Sequence, residues 1–190
     1  IAMLAPPGAY AIGGVMIDIP TITTARLRLR APRRADFEAL AAMWADVRVT
    51  EYVSGPPRPR DESWRRFLAV PGLWGMLGYG YWVFADRESD AFVGMGGLGF
   101  FERGIAELAD VPEAGWAIDP AWWGQGMATE AMTAALGWAD DHLDAAEIRC
   151  IINPGHRASE RVAAKLSFDR IGHAMMVPDP VNVYARPRMG

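Results

Sequence analysis

Apolar and polar positions along this chain follow two periods, and the switches between them mark out its elements. Arg26-Leu27-Arg28-Leu29-Arg30 alternates with period two, as a half-exposed strand does. In residues 35–46 the apolar side chains Phe37, Leu40, Ala41 and Trp44 fall at helical spacing. Residues 60–77 read as a second helical region, with an interruption predicted at Pro71-Gly72. Residues 79–86 and 91–101 read as strands joined by the polar turn 87–90, and 111–118 as a third strand stopped by Asp119-Pro120. A helix follows over 128–143, with Ala131, Ala134, Ala135 and Trp138 as its inner stripe. Residues 147–152 predict a strand, 157–166 a helix, and 169–176 and 181–186 the closing strands. Three consecutive strands of antiparallel type argue against a purely doubly wound sheet, while strand–helix–strand over 111–152 adds a parallel pair. The pattern predicts a mixed α/β sheet with helices on both faces.

Composition changes this picture little. A chain of 190 residues, 51% hydrophobic and 22% charged, is ordinary globular material for one domain. The expected division is an N-terminal extension over 1–20 and a single domain over 21–190. Pro6-Pro7-Gly8 and Gly13-Gly14 break the apolar start, and no basic segment precedes it, so neither a signal peptide nor a membrane span is expected. Ile1 at the start suggests that the first residues are not native, with Met16 a candidate start. A net charge of −4 argues against a general nucleic-acid binder. The lone Cys150 excludes an internal disulfide framework and suits a reducing compartment, so a cytoplasmic location is expected. His142, His156 and His173 show no metal-ligand spacing, and no metal is expected.

Two glycine-rich runs invite a phosphate. Gly94-Met95-Gly96-Gly97-Leu98-Gly99 matches the dinucleotide pattern G-x-G-x-x-G, but Phe100-Phe101 continues it as strand where that pattern needs a helix. It is read as a glycine-rich central strand beside a ligand. The run from Glu113 to Ala131 is different. A strand delivers the chain through Asp119-Pro120 into Gly124 and Gly126, and a helix starts at once. Without Cβ atoms there, a ligand can lie against the backbone, and the helix start offers unpaired N–H groups and a positive dipole end to an anion.

Trp122-Trp123-Gly124-Gln125-Gly126-Met127-Ala128-Thr129-Glu130-Ala131, preceded by Asp119-Pro120, resembles the GNAT superfamily of N-acetyltransferases, in the branch of the RimJ/RimL-type ribosomal-protein N-terminal acetyltransferases. A second motif follows. Asn153-Pro154-Gly155-His156-Arg157-Ala158-Ser159, Val162 and Lys165-Leu166-Ser167-Phe168 look like the family's Pro-Gly-Asn-x-x-Ser and Lys-Leu-Gly-Phe, and 26–30 resembles the branch's first strand. The likeness spans roughly residues 24–186.

The resemblance implies a mostly antiparallel central sheet of 6–7 strands with a splayed parallel pair, flanked by about four helices. It also implies acetyl-CoA as acyl donor, with its pyrophosphate on Gly124, Gln125, Gly126, Met127, Ala128 and Thr129, and its pantetheine arm along Trp116, Ala117 and Ile118. His156 and Ser159 are expected beside the cofactor. The implied reaction is direct attack of a primary amine, on a protein N-terminus or a small molecule, in a ternary complex. The alternative is a catalytically silent acyl-CoA-binding or sensor protein. Partners are acetyl-CoA and an amine acceptor, with no nucleic acid or membrane, and the chain is expected to be a monomer or homodimer.

Three positions depart from the family pattern: His156 replaces Asn, Ser167 replaces Gly, and Ala163 stands where many members carry an acidic Tyr. Glu113 is the candidate base, its alternative an exposed carboxylate at a strand end. Ser159 is the candidate acid or thiol partner, its alternative a first-turn serine bonding backbone. Tyr184 is a reserve acid. Trp64, Trp74, Trp82 and Trp116 are either acceptor walls or packing, with packing favoured. Glu102, Glu107 and Asp110 could attract an amine or simply face water, and Arg157 could reach a cofactor phosphate or stand exposed.

Overall fold

A computed structural model describes residues 9–12, 15–53, 55–176 and 179–189. The described residues begin with an antiparallel pair, β1 (Ala9–Ile12) and β2 (Val15–Asp18), in register from Ala9↔Asp18 to Ile12↔Val15. The main sheet comprises β3 (Ile22–Thr23), β4 (Leu27–Arg30), β5 (Tyr81–Asp86), β6 (Phe92–Gly99), β7 (Glu113–Ile118), β8 (Glu147–Ile152), β9 (Asp169–Met176) and β10 (Asp179–Pro187). Its order is β3-β4-β5-β6-β7-β8-β10-β9. Every neighbouring pair is antiparallel except β7 and β8. This is the predicted mixed sheet with one strand more. The addition is β3, whose two residues are too few to show a period.

Among the described residues five α-helices accompany the sheet: α1 (Phe37–Ala45), α2 (Val47–Thr50), α3 (Arg60–Leu77), α4 (Met127–His142) and α5 (Arg157–Lys165). The short α2 was not expected. Asp46, read as the end of the first helix, also starts the next, its carboxylate accepting from the Arg48 N–H at 2.9 Å. The interruption predicted at Pro71 does not occur. Phe67, Val70 and Trp74 on either side of it are all buried at helical spacing, and that burial offsets the roughly 3 kcal/mol of a helical proline. The helix ends at Gly78, whose φ of 76° lets its N–H return to the Trp74 carbonyl.

Alternation along the strands sorts the core into two faces. Trp82, Phe84, Ala114, Ile118, Ile148, Cys150 and Ile152 pack with Met127, Ala131, Met132, Ala135 and Ala139 of α4. The burial pattern extends α4's predicted stripe by Met132, Leu136 and Ala139. Met95 and Ala117 face the other way, against Phe37, Leu40, Trp44, Phe67 and Val70 of α1 and α3. Trp74 and Trp82 join Trp138 in edge-to-face contacts with centroids 4.7–5.5 Å apart, so both are packing residues. Ile17 and Ile19, within the stretch read as an extension, are buried in the same core. Among the described residues, no helix is long and apolar enough to cross a membrane.

Candidate active site

The parallel pair holds together at one point. Glu113 of β7 pairs with Arg149 of β8, and the Arg149 N–H donates to the Pro112 carbonyl at 3.0 Å. Beyond that point β7 keeps its β6 partners, Gly96↔Trp116, Met95↔Ala117 and Gly94↔Ile118, but has none on the β8 side. Residues 116–118 therefore present an open strand edge inside a V-shaped gap, on which the Ile118 carbonyl already accepts a side-chain hydrogen bond.

The chain leaves that edge through a braced turn. Asp119 accepts from the Ala121 N–H at 2.9 Å, the Trp123 indole donates to the Ile118 carbonyl at 2.7 Å, and the Gln125 amide donates to the Ala121 carbonyl at 3.2 Å. Gly124 and Gly126 adopt φ of 74° and 79°, the left-handed region that disfavours a Cβ. Gly126 is the N-cap of α4 and no side chain caps the helix, so Met127, Ala128 and Thr129 turn their first-turn N–H groups toward the loop. An anion fits this start.

The Glu130 that closes the motif has a different task. Its carboxylate accepts from the Thr24 hydroxyl at 2.6 Å, the Arg26 N–H at 2.8 Å and Arg26 Nε at 2.7 Å. Arg26 Nη1 in turn donates to the Gln125 carbonyl at 2.9 Å. The start of β4 is thus pinned to the glycine loop across more than a hundred residues. Burial alone would raise the Glu130 carboxyl, but these donors outweigh it and hold the pKa below the usual glutamate value.

Glu113 is not the exposed carboxylate that its place at a strand end allowed. It is buried and meets Arg103 in a two-point ion pair, Nε to Oε2 at 2.6 Å and Nη2 to Oε1 at 2.8 Å. Arg103 belongs to the loop between β6 and β7, where Phe100, Phe101, Leu108 and the pair itself line a hollow of about 340 Å³. Glu102 and Asp110, flagged as possible amine attractors, line the same hollow, and both adopt positive φ. Beside the pair lies Tyr81, which sequence reasoning did not single out. Tyr81, Gly97 and Gly115 stand opposite one another on three adjacent strands. Gly115 leaves room for the phenol, since a Cβ there would sit 2.1 Å from its oxygen, while a Cβ at Gly97 would meet the Gly80 carbonyl at 2.3 Å. Burial, with the Glu113 charge, pushes the Tyr81 phenol well above its usual pKa.

The second motif closes the other arm of the gap. Ser159 lies half-buried in the first turn of α5, and among the described residues its hydroxyl makes no hydrogen bond, backbone included. His156 is the helix N-cap without a capping bond, and its ring stacks on Tyr52 at 4.9 Å. Burial there lowers its pKa, against the opposing pull of Glu160 and Glu51. Arg48, at the other end of α2, lies 5.9 Å from the Trp123 ring. One short helix and its following turn therefore touch both motifs, which the sequence keeps some thirty residues apart. Tyr184 is buried, with its hydroxyl 3.5 Å from Glu160 Oε1, and burial and that charge raise its pKa. Arg157 is exposed.

The comparisons agree on one family. Residues 26–169 match the model of the acetyltransferase (GNAT) domain. The uncharacterized protein YkkB of Bacillus subtilis (strain 168) is 29% identical over 168 residues, 87% of this chain and 94% of that one. An acetyltransferase from Agrobacterium tumefaciens superposes with a TM-score of 0.78 at 26% identity, over 93% of this chain and 99% of that chain. RimL, a ribosomal L7/L12 alpha-N-protein acetyltransferase solved in complex with coenzyme A, shares the fold at a TM-score of 0.70 and 19% identity, over 88% of this chain and 98% of its own.

Proposed function

The chain belongs to the GNAT acetyltransferase family, and on that premise we propose that it is an acetyl-CoA-dependent N-acetyltransferase acting on a primary amine, of a protein N-terminus or a small molecule, by direct attack in a ternary complex. The observation that carries this reading is the open edge of residues 116–118 running straight into an uncapped, glycine-led helix start. Acetyl-CoA would supply the electrophilic thioester and a thiolate leaving group. Gly124 to Thr129 hold the pyrophosphate through backbone N–H groups, Trp116 to Ile118 hold the pantetheine arm, and a backbone N–H of that edge polarises the thioester carbonyl. His156, turned onto Tyr52, borders the cofactor by shape.

Two proton tasks remain for the protein. An α-amine titrates near 8, so on the order of a tenth is neutral at pH 7, whereas a lysine amine near 10.4 needs about 3 kcal/mol more. Glu113 takes the amine proton through water, on the lone pairs that Arg103 leaves free. Ser159 donates to the departing thiolate, and its lack of another partner supports that role. The alternative, a silent acyl-CoA-binding relative, draws support from the two-point hold of Arg103 on Glu113. Thiol release from acetyl-CoA, measured across α-amines and lysine-type amines, separates the two. Turnover with any acceptor supports the enzyme, and coenzyme A binding without turnover on the whole panel supports the silent protein. A structure with coenzyme A whose pyrophosphate lay away from 124–129 would sink both assignments of the loop.

A further inference from the structure

Arg58 stands on the stretch between α2 and α3, with its N–H donating to the Trp44 carbonyl at 2.9 Å. Its side chain is only 8% exposed, and its buried Nε has no hydrogen-bond partner. The guanidinium lies 3.9 Å from the centroid of the Trp44 ring. Among the described residues one carboxylate oxygen comes within 4 Å of it, Glu62 Oε1 at 3.8 Å, beyond hydrogen-bond reach. That oxygen already accepts from Arg66 Nε at 2.9 Å. An aromatic face offers a cation electrostatic attraction but no lone pair. Guanidinium groups so deeply placed are ordinarily paired, because desolvating a charge is costly. Burial lowers the Arg58 pKa to about 10, which still leaves the group cationic at neutral pH.

Its neighbours place it on the face of the sheet that α1 and α3 cover. Trp44 packs in the cluster that contains Ala117 of β7. The Tyr81 phenol, lying over Gly115, feels the charges of both Arg58 and Glu113. A cation with no hydrogen-bonded carboxylate among the described residues therefore lies on the same sheet face as the carboxylate proposed to take the amine proton.

We propose that Arg58 anchors a carboxylate carried by the same molecule as the attacking amine, so that the acceptor is an amino-acid-like zwitterion. This rests on the acetyl-transfer reading of the site. The local charge selects the anion: Arg58, Arg66 and Glu62 together carry one net positive charge, which a monoanion neutralises and a dianionic phosphate exceeds. The planar guanidinium matches a carboxylate at two points, which the ammonium of a lysine does not. Trp44 holds the guanidinium plane from one side.

The test is calorimetry on the whole chain saturated with coenzyme A, titrated with N-acetyl amino acids, with the corresponding amides, and with N-acetylated phosphoethanolamine. The acids bind at least tenfold more tightly than their amides, and the phosphate binds more weakly than the acids. Arg58→Met brings acids and amides level, Arg58→Lys keeps part of the difference, and both variants bind coenzyme A as the wild type does. The methionine fills the same buried volume without a charge, so a folded variant is expected, checked by circular dichroism. Equal or undetectable binding of acids and amides to the wild type overturns the proposal. So does a preference that survives Arg58→Met, or a phosphate that binds best. If coenzyme A itself does not bind, the acetyl-transfer reading falls and this inference with it. Coenzyme A bound with no acid–amide difference removes this inference alone.

Discussion

Removing the Glu130 carboxylate separates what the glycine loop owes to its own backbone from what it owes to β4. In Glu130→Ala the Thr24 hydroxyl and the Arg26 N–H each lose a bond to a largely buried acceptor, worth roughly 1 kcal/mol apiece. The Arg26 guanidinium is 47% exposed, so its ion pair adds only about 0.5 kcal/mol. The total, about 2.5 kcal/mol, lowers Tm by roughly 5–10 °C for a chain of this size. Glu130→Gln, which keeps one acceptor oxygen, costs about half of that. The pH dependence has a definite sign. The folded-state pKa lies below the usual glutamate value of 4.5, so the carboxylate's contribution is complete above about that pH and is lost as pH falls through the folded value. The stability gap between wild type and Glu130→Gln is therefore constant from pH 6 to 8 and shrinks in acid. On the role proposed for the loop, function follows through Arg26: without its anchor it no longer fixes the Gln125 carbonyl, and acetyl-CoA would have to order the loop itself. Ordering about one residue's backbone costs about 1–2 kcal/mol, so KM for acetyl-CoA rises on the order of tenfold with kcat nearly unchanged. Thermal melts and thiol-release kinetics on the same preparations measure both. A variant with the lowered Tm but an unchanged KM for acetyl-CoA would refute the claim that this network preorganises the loop.

Glu113→Gln shifts the pH profile of kcat/KM toward higher pH more for lysine-type acceptors than for α-amines, and superimposable wild-type and variant profiles would remove Glu113 from the base role. Gly115→Ala places a Cβ 2.1 Å from the Tyr81 oxygen and drives the phenol aside. It costs about 1–3 kcal/mol and raises KM for the acceptor but not for acetyl-CoA, with denaturant melts and initial rates as the readouts. Ser167 holds φ of 63° after α5, where a Cβ is strained, so Ser167→Gly gains about 1 kcal/mol and a few degrees of Tm by calorimetry.

Much of the scaffold was legible in the chain because its signals are local. The alternation of 26–30 gives β4, the apolar stripe of 128–143 gives α4, and Asp119-Pro120 with Gly124 and Gly126 gives the turn between strand and helix start. The rejection of the 94–99 glycine run follows from the same kind of signal, and that run lies wholly within β6. Local signals failed where length or burial intervened. A two-residue strand has no period, and Pro71 stays helical because side chains distant in sequence bury both of its flanks.

The sequence by itself determined the family likeness, the order of elements and the position of the glycine loop, since glycine geometry, capping and periodicity act over a few residues. Only the tertiary structure decided what the charged groups do. Glu130 serves Thr24 and Arg26, Glu113 is held by Arg103, and among the described residues the buried Nε of Arg58 has no hydrogen-bond partner. Those outcomes depend on which segments the sheet order brings together. The energy of an ion depends on its partners and its distance from water, and neither is written in the residues beside it.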